Sequence, residues 1–222
     1  VDGLINGQEY SCRVSAENEA GTSEETTPSE LITPRTGTIV FFEGFETPEL
    51  NVENFPNYNG QSVIFGAATP SFDAPEQQPV DVGFMGDSGV GWRVENGNIE
   101  MVRGAHEASE GLQSLELNGF VPGAIKADIE FVTVGVHLLS FDVSKHPGTQ
   151  DDASFSLILN EETVAGTPIV VSQSTSADSM AYQHVAIELN IASPGVYSLG
   201  FESVDWVDDN GINQFGAVID NL

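Results

Sequence analysis

From Thr38 to the end of the chain, apolar and polar residues alternate in short runs. "TIVFFEGFE" opens the series, and "QSLELNGF", "AIKADIEFVTV", "VHLLSFDVS", "SFSLILN", "PIVVSQ", "QHVAIELNI", "VYSLGFESV" and "FGAVIDNL" follow. In "SFSLILN" the apolar set is Phe155, Leu157 and Leu159; in "HVAIELNI" it is Val185, Ile187, Leu189 and Ile191. A two-residue period puts each set on one face of a strand, and Gly, Pro, Asn and Asp punctuate the runs. No helical period extends beyond two turns. The pattern predicts an all-β chain, with two antiparallel sheets packed as a β-sandwich.

One run carries a second possible meaning. "GDSGVGWRVENGNIEMV", residues 86–102, begins with the Gly-Asp-Ser-Gly that surrounds the nucleophile of chymotrypsin-like proteases. That triad runs His, Asp, Ser along the chain, whereas His106, His137, His146 and His184 all follow Ser88. The order excludes that family. Asp87, Ser88 and Gly89 instead read as a turn, with Asp and Ser bonding nearby backbone and glycine taking a positive φ. Trp92, Val94 and Ile99 then begin the core. The histidines show neither HExxH spacing nor a close-set pair and read as surface or strand residues, and the lone Cys12 cannot build a zinc centre. Neither a Walker motif nor a dinucleotide fingerprint occurs, and the sequence advertises no enzyme.

Charge changes the picture of partners. The chain has 222 residues, 34 acidic against 6 basic, for a net charge of -28. Such a surface repels phosphate backbones and anionic membranes, so nucleic acid is not an expected partner, while divalent cations are attracted. No run of about 18 apolar residues offers a membrane-spanning helix. Cys12 lies in "EYSCRVSAENEAGTS", where Tyr10, Cys12, Val14 and Ala16 alternate on one face, so a buried small hydrophobe is expected there.

"LINGQEYSCRVSAENEAGTSEETTPSELITPRTG", residues 4–37, resembles the end of a fibronectin type III domain through Leu4, Gly7, Tyr10, Val14, Ala16, Asn18, Gly21, Ser23 and the closing "SELITP". Tyr10 stands at the tyrosine-corner position of such sandwiches. Residues 1–37 are therefore expected to be the C-terminal strands of such a domain, completed by upstream sequence or by another chain, and "TPRTGT" to be a linker. The remainder, 38–222, is similar to the galactose-binding-like jelly rolls of DUF642-type and related carbohydrate-binding-module-like domains. "FEGFE", "GWRVENGNIEMV", "EGLQSLELNG", "LLSFDVSKHP", "YSLGFES" and "GAVIDNL" occur in that family's order, with residues 54–91 forming a longer insertion.

This resemblance implies a structural calcium held between the first and last strands, at Glu43, Glu46 and Asp220; a solvated acidic turn is the alternative reading. Calcium takes six to eight hard oxygen ligands. "DWVDDNG", residues 205–211, offers Asp205, Asp208, Asp209 and Asn210 as a second metal candidate, but it lacks EF-hand spacing and a turn is the favoured reading. Sugar binding needs an aromatic platform beside polar groups. Trp206 in that acidic loop is the first candidate, with Tyr58, Tyr182 and Phe72 behind it. The sequence thus points to a non-catalytic, extracellular, secreted or cell-surface module that binds polysaccharide or a cell-surface glycan. The alternative is a structural subunit of a virion appendage or surface filament, packed against neighbouring copies.

Overall fold

The computed structural model describes residues 9–18, 21–29, 39–56, 58, 60–66, 83–149, 151–173, 176–205 and 215–222. The chain divides into two compact units, Val1–Ile39 and Val40–Leu222.

The first unit contains a short antiparallel pair, β1 (Glu17–Asn18) and β2 (Gly21–Thr22). Below it the ladder continues in a modified form. Ser23, Thr26 and Ser29 donate their amides to the carbonyls of Ala16, Val14 and Cys12, and their hydroxyls accept from those same residues' amides at 2.9–3.1 Å. Hydroxyls replace carbonyls on one side of each rung. Within this unit no second sheet covers the pair among the described residues, so Val14 is 66% exposed and Cys12 is exposed. This overturns the expectation that Cys12 is buried: alternation alone buries a face only where another layer packs on it.

The second unit is a two-sheet β-sandwich. Sheet I has the order β13-β9-β15-β7-β6-β3, formed by Gln183–Ile191, Gly135–Lys145, Ala217–Asp220, Ser114–Glu116, Asn98–Val102 and Ser62–Gly66. Sheet II has the order β11-β10-β14-β8-β5-β4, formed by Glu162–Thr163, Ala153–Leu159, Gly195–Ser203, Ala124–Phe131, Gly91–Asn96 and Gly83–Met85, with β12 (Ile169–Val171) also on β10. All pairings are antiparallel. The chain passes from sheet to sheet at β5–β6, through β7, β8, β9 and β10, and again through β13, β14 and β15. That winding is a jelly roll. No helix occurs among the described residues, and so none is long and apolar enough to cross a membrane.

The alternation in the sequence fills the space between the sheets. Ile125, Ala127, Ile129 and Phe131 of β8 are buried, as are Phe155 and Leu157 of β10 and Leu189 and Ile191 of β13. Leu159 ends β10, and Val185 and Ile187 lie on the edge strand β13; all three are only partly buried. An aromatic chain crosses the core: Phe45 meets Trp92 at 6.1 Å, Trp92 meets Phe201 at 6.4 Å, and Phe201 meets Phe141 edge-on at 5.4 Å.

The step from β5 to β6 depends on Gly97. Its φ is 56°, and a Cβ there would stand 2.0 Å from the Pro122 carbonyl oxygen. Gly97→Ala is therefore expected to cost about 2–3 kcal/mol from the left-handed backbone and the clash together. Urea unfolding would measure it, and a midpoint matching wild type would contradict this role.

Part of the outer face of sheet I is covered. Segments 103–113 and 176–182 lie over it: Glu107 N donates to the Ala177 carbonyl, Ser109 N and Glu110 N to Asp220, and Ser144 Oγ to the Met180 carbonyl. Ser144 and Asp220, the polar residues that these segments bond, are buried.

Candidate functional site

The two ends of the jelly roll meet in one corner. Glu43 and Leu222 exchange backbone hydrogen bonds at 2.7 Å in both directions. Glu43 is 1% exposed. Its Oε1 accepts from the amides of Phe45 and Asp87, at 3.0 and 3.1 Å, and its Oε2 from Trp92 Nε1 at 2.9 Å. Burial raises its pKa against the pull of these donors. Glu46 Oε1 accepts from Leu112 N and Gln113 N at 2.6 and 2.7 Å. Asp220 is fully buried; Oδ2 takes the amides of Ser109 and Glu110 and Oδ1 that of Asn221. Burial pushes the Asp220 carboxyl up to about 7.

Glu43, Glu46 and Asp220 thus come to one corner of the fold, but each is held by N–H donors. Among the described residues no three Asp, Glu, His or Cys side chains form a group able to hold a metal ion. As placed, the three carboxylates do not fit a shared calcium: the N–H groups already supply the positive ends that a cation would supply. Asp87 completes the corner, its Oδ2 accepting from Gly44 N at 3.0 Å and Glu46 N at 3.1 Å. Sequence reading tied that side chain to its own turn. Only the approach of distant segments reveals the longer reach.

The rest of the "GDSG" stretch is a turn, as expected. Gly89 N bonds the Gly86 carbonyl, Gly86 N bonds the Val90 carbonyl, and Gly89 has φ 78°. Ser88 is exposed in that turn. Trp92 and Ile99 are buried in the core.

Of the aromatic candidates, Trp206 and Phe72 lie outside the described residues, as do Asp208, Asp209 and Asn210. Tyr58 is half-buried against the core, and its hydroxyl donates to the Arg103 carbonyl at 3.3 Å. Tyr182 donates to the Glu107 carbonyl at 3.2 Å, and burial raises its pKa. Both tyrosines pin the segment that covers sheet I. Two histidines, expected as surface or strand residues and not close-set along the chain, come together there: the rings of His106 and His146 are 5.9 Å apart, and His146 stacks on Phe215 at 4.6 Å. Burial lowers both pKa values, that of His146 to about 4. Their separation along the chain hides the pair from any local spacing.

The outer face of sheet II carries a trough of about 180 Å³. Its floor is Gly200, which faces Ile158 on β10 and Lys126 on β8. Glu95, Asn96, Ser198 and Glu202 contribute to its lining. Lys126 Nζ sits between Glu95 at 3.1 Å and Glu161 at 3.3 Å, and this pairing raises its pKa. The trough brings an ammonium donor, carboxylate acceptors, a hydroxyl and an amide together around an apolar Ile158 wall. Sequence reading missed these positions because they are the polar half of the alternation, which by itself reads as plain solvent-facing surface. The one visible signal was a glycine at an outward position in "VYSLGFES".

No protein-family model and no curated protein matches the chain. Solved structures do show similarity. A family 35 carbohydrate binding module from Clostridium thermocellum is 13% identical, with 59% of this chain and 84% of that chain covered and a TM-score of 0.39. A family 22 xylan-binding domain from Paenibacillus barcinonensis is 15% identical over 59% of this chain and 81% of that one, at a TM-score of 0.41. The C-terminal family 6 module of a marine laminarinase from Zobellia galactanivorans is 19% identical over 72% and 95%, at a TM-score of 0.34. At this level of similarity nothing about ligand or activity transfers to the present chain.

Proposed function

We propose that the chain is a non-catalytic glycan-binding module of an extracellular protein, holding a short stretch of polysaccharide or cell-surface glycan in the trough of sheet II. The observation that supports this reading is the trough itself, where Lys126, Glu95, Glu161, Ser198 and Asn96 surround the side-chain-free floor at Gly200. Sugar hydroxyls both donate and accept, so a surface mixing ammonium, carboxylate, hydroxyl and amide can satisfy them, while C–H faces rest on Gly200 and Ile158. An open trough of this size is smaller than the roughly 300–1,000 Å³ pockets of drug-sized ligands. It suits side-on contact with a chain better than enclosure of one molecule. The fibronectin-like first unit fits a spacer within the same multidomain protein.

A glycan array followed by calorimetric titration tests the reading. Lys126→Ala is expected to weaken the best glycan about tenfold, the loss of one charge-assisted hydrogen bond. Its melting temperature should hardly move, because the ion pairs it breaks are exposed on the carboxylate side. Unchanged affinity in Lys126→Ala would take the ligand out of the trough. Silence on the array, together with concentration-dependent self-association, would favour the structural-subunit reading.

A further inference from the structure

Sheet I ends in one long edge. The other edge strands of the jelly roll are short: β3 has five residues, β4 three, β11 two and β12 three. β13 has nine, paired one by one with β9 from Gln183 opposite Val143 to Ile191 opposite Gly135, with no shift of register. Among the described residues β9 is its one strand neighbour, and no loop bonds its backbone. About half of the N–H and C=O groups of such a strand point away from the sheet. Sheets avoid pairing with other chains by keeping edges short or by placing Pro, Lys, a bulge or an inward charge on them. β13, "QHVAIELNI", carries none of these devices.

The side chains of β13 decide what fits against it. On its inner face Leu189 and Ile191 are buried, whereas Val185 and Ile187 are only partly so. The core runs out along the first half of the strand. His184, Ala186, Glu188 and Asn190 are exposed on the other face. In a chain with 34 acidic residues and a net charge of -28, this strand holds one carboxylate, Glu188. Two copies therefore meet here with little local repulsion. The strand is also its own complement. In an antiparallel pair centred on Ile187 all nine residues find partners: Val185 meets Leu189, Ile187 meets Ile187, His184 meets Asn190, and Glu188 meets Ala186. Centring the pair on Glu188 would set two carboxylates directly opposite each other. A slip of one residue would put apolar side chains on the polar face.

We propose that two copies of the chain pair antiparallel along β13, with a two-fold axis at Ile187, and join their copies of sheet I into one continuous sheet. The pairing supplies partners to the open backbone groups and extends the cover over Val185 and Ile187. A contact of this isologous kind closes at two copies, unlike the open packing of a filament subunit. The trough lies on the other sheet, so the pairing does not depend on the glycan reading. Each copy carries a charge of -28, and screening by salt therefore favours the pair.

The test is sedimentation equilibrium of the full chain in about 0.15 M salt, repeated at about 1 M. Wild type should show a monomer–dimer equilibrium that tightens with salt. Ala186→Glu puts a carboxylate opposite Glu188 of the second copy, twice per dimer, and should weaken the pair about tenfold. Ala186 is exposed in the single chain, so the variant should keep the wild-type circular dichroism spectrum. Adding Glu188→Lys to Ala186→Glu turns both repulsions into ion pairs and should restore the pair. A wild type that stays monomeric at the higher salt or grows beyond two copies, or an Ala186→Glu variant that pairs as tightly as wild type, overturns the proposal. Should Ala186→Glu misfold, hydrogen exchange of wild type decides: the amides of Gln183–Ile191 should exchange more slowly at concentrations where the dimer forms, and equal protection in monomer and dimer overturns it.

Discussion

Replacing Trp92 with alanine is expected to lower the melting temperature by about 10–20 °C, the largest effect of any single side chain in the jelly roll. Trp92 is 1% exposed and links Phe45 to Phe201 in the aromatic chain. Truncating such a side chain costs about 3–5 kcal/mol through lost contact and the cavity left behind. Its indole N–H is also a donor to the buried Glu43 carboxylate, at 2.9 Å. Losing that donor adds about 1–3 kcal/mol at neutral pH, because the oxygen it served stays buried. Trp92→Phe separates the two parts. It keeps an aromatic ring and removes the N–H, so its deficit should shrink as pH falls and Glu43, whose pKa burial already raises, takes up a proton. In a double-mutant cycle with Glu43→Gln, a coupling of about 1.5–3 kcal/mol is expected. Additive losses within about 0.5 kcal/mol would show that Trp92 acts through packing alone.

The same residue shows how far the sequence could be read. Its place in an alternating strand marked Trp92 as core, and period two likewise identified Phe155, Leu157, Leu189 and Ile191. What alternation cannot show is which outward faces are later covered. Asp220 and Ser144 occupy polar alternates of their strands, yet both are buried because segments 103–113 and 176–182 fold over that part of sheet I. Those segments lack a period, and nothing local marks them as a lid.

The chain-end corner was legible in part, and for a related reason. Glu43, Glu46 and Asp220 were expected together and do come together, but the donors that meet them are amides of Ser109, Glu110, Leu112 and Gln113 and the Trp92 indole. A backbone amide is present at every non-proline residue, so its use at one position leaves no trace in residue type. The reading that supplied calcium to this corner counted carboxylates and had no means of counting N–H groups. Opposite limits apply to the trough: its residues are ordinary strand alternates, and only the order β10-β14-β8-β5 places Ile158, Gly200, Lys126 and Glu95 side by side.

Asp220→Asn is expected to stabilise the protein at alkaline pH and to lose that advantage on acidification. Asp220 is fully buried, and burial, opposed by the amides of Glu110, Asn221 and Ser109 and assisted by the charge of Glu110, pushes its pKa from 3.8 to about 7. Because the folded value lies above the unfolded one, the folded state binds more protons between roughly pH 4 and 7. The contribution of this group to stability therefore falls as pH rises through that window. A rise of that size corresponds to a loss on the order of 4 kcal/mol above pH 7, or roughly 10 °C for a domain of this size. His146 works in the opposite sense: its pKa falls from 6.5 to about 4, so its contribution is present above pH 6.5 and is lost on acidification. A wild-type profile alone would mix the two. The difference between Asp220→Asn and wild type, measured in chelator at each pH, isolates Asp220, because asparagine mimics the protonated acid and does not titrate. That difference should grow in favour of the variant from pH 4 to pH 8. A difference that stays flat across the range would mean that the amides around Asp220 hold it ionised at the ordinary carboxylate pKa, as firmly as a bound cation would.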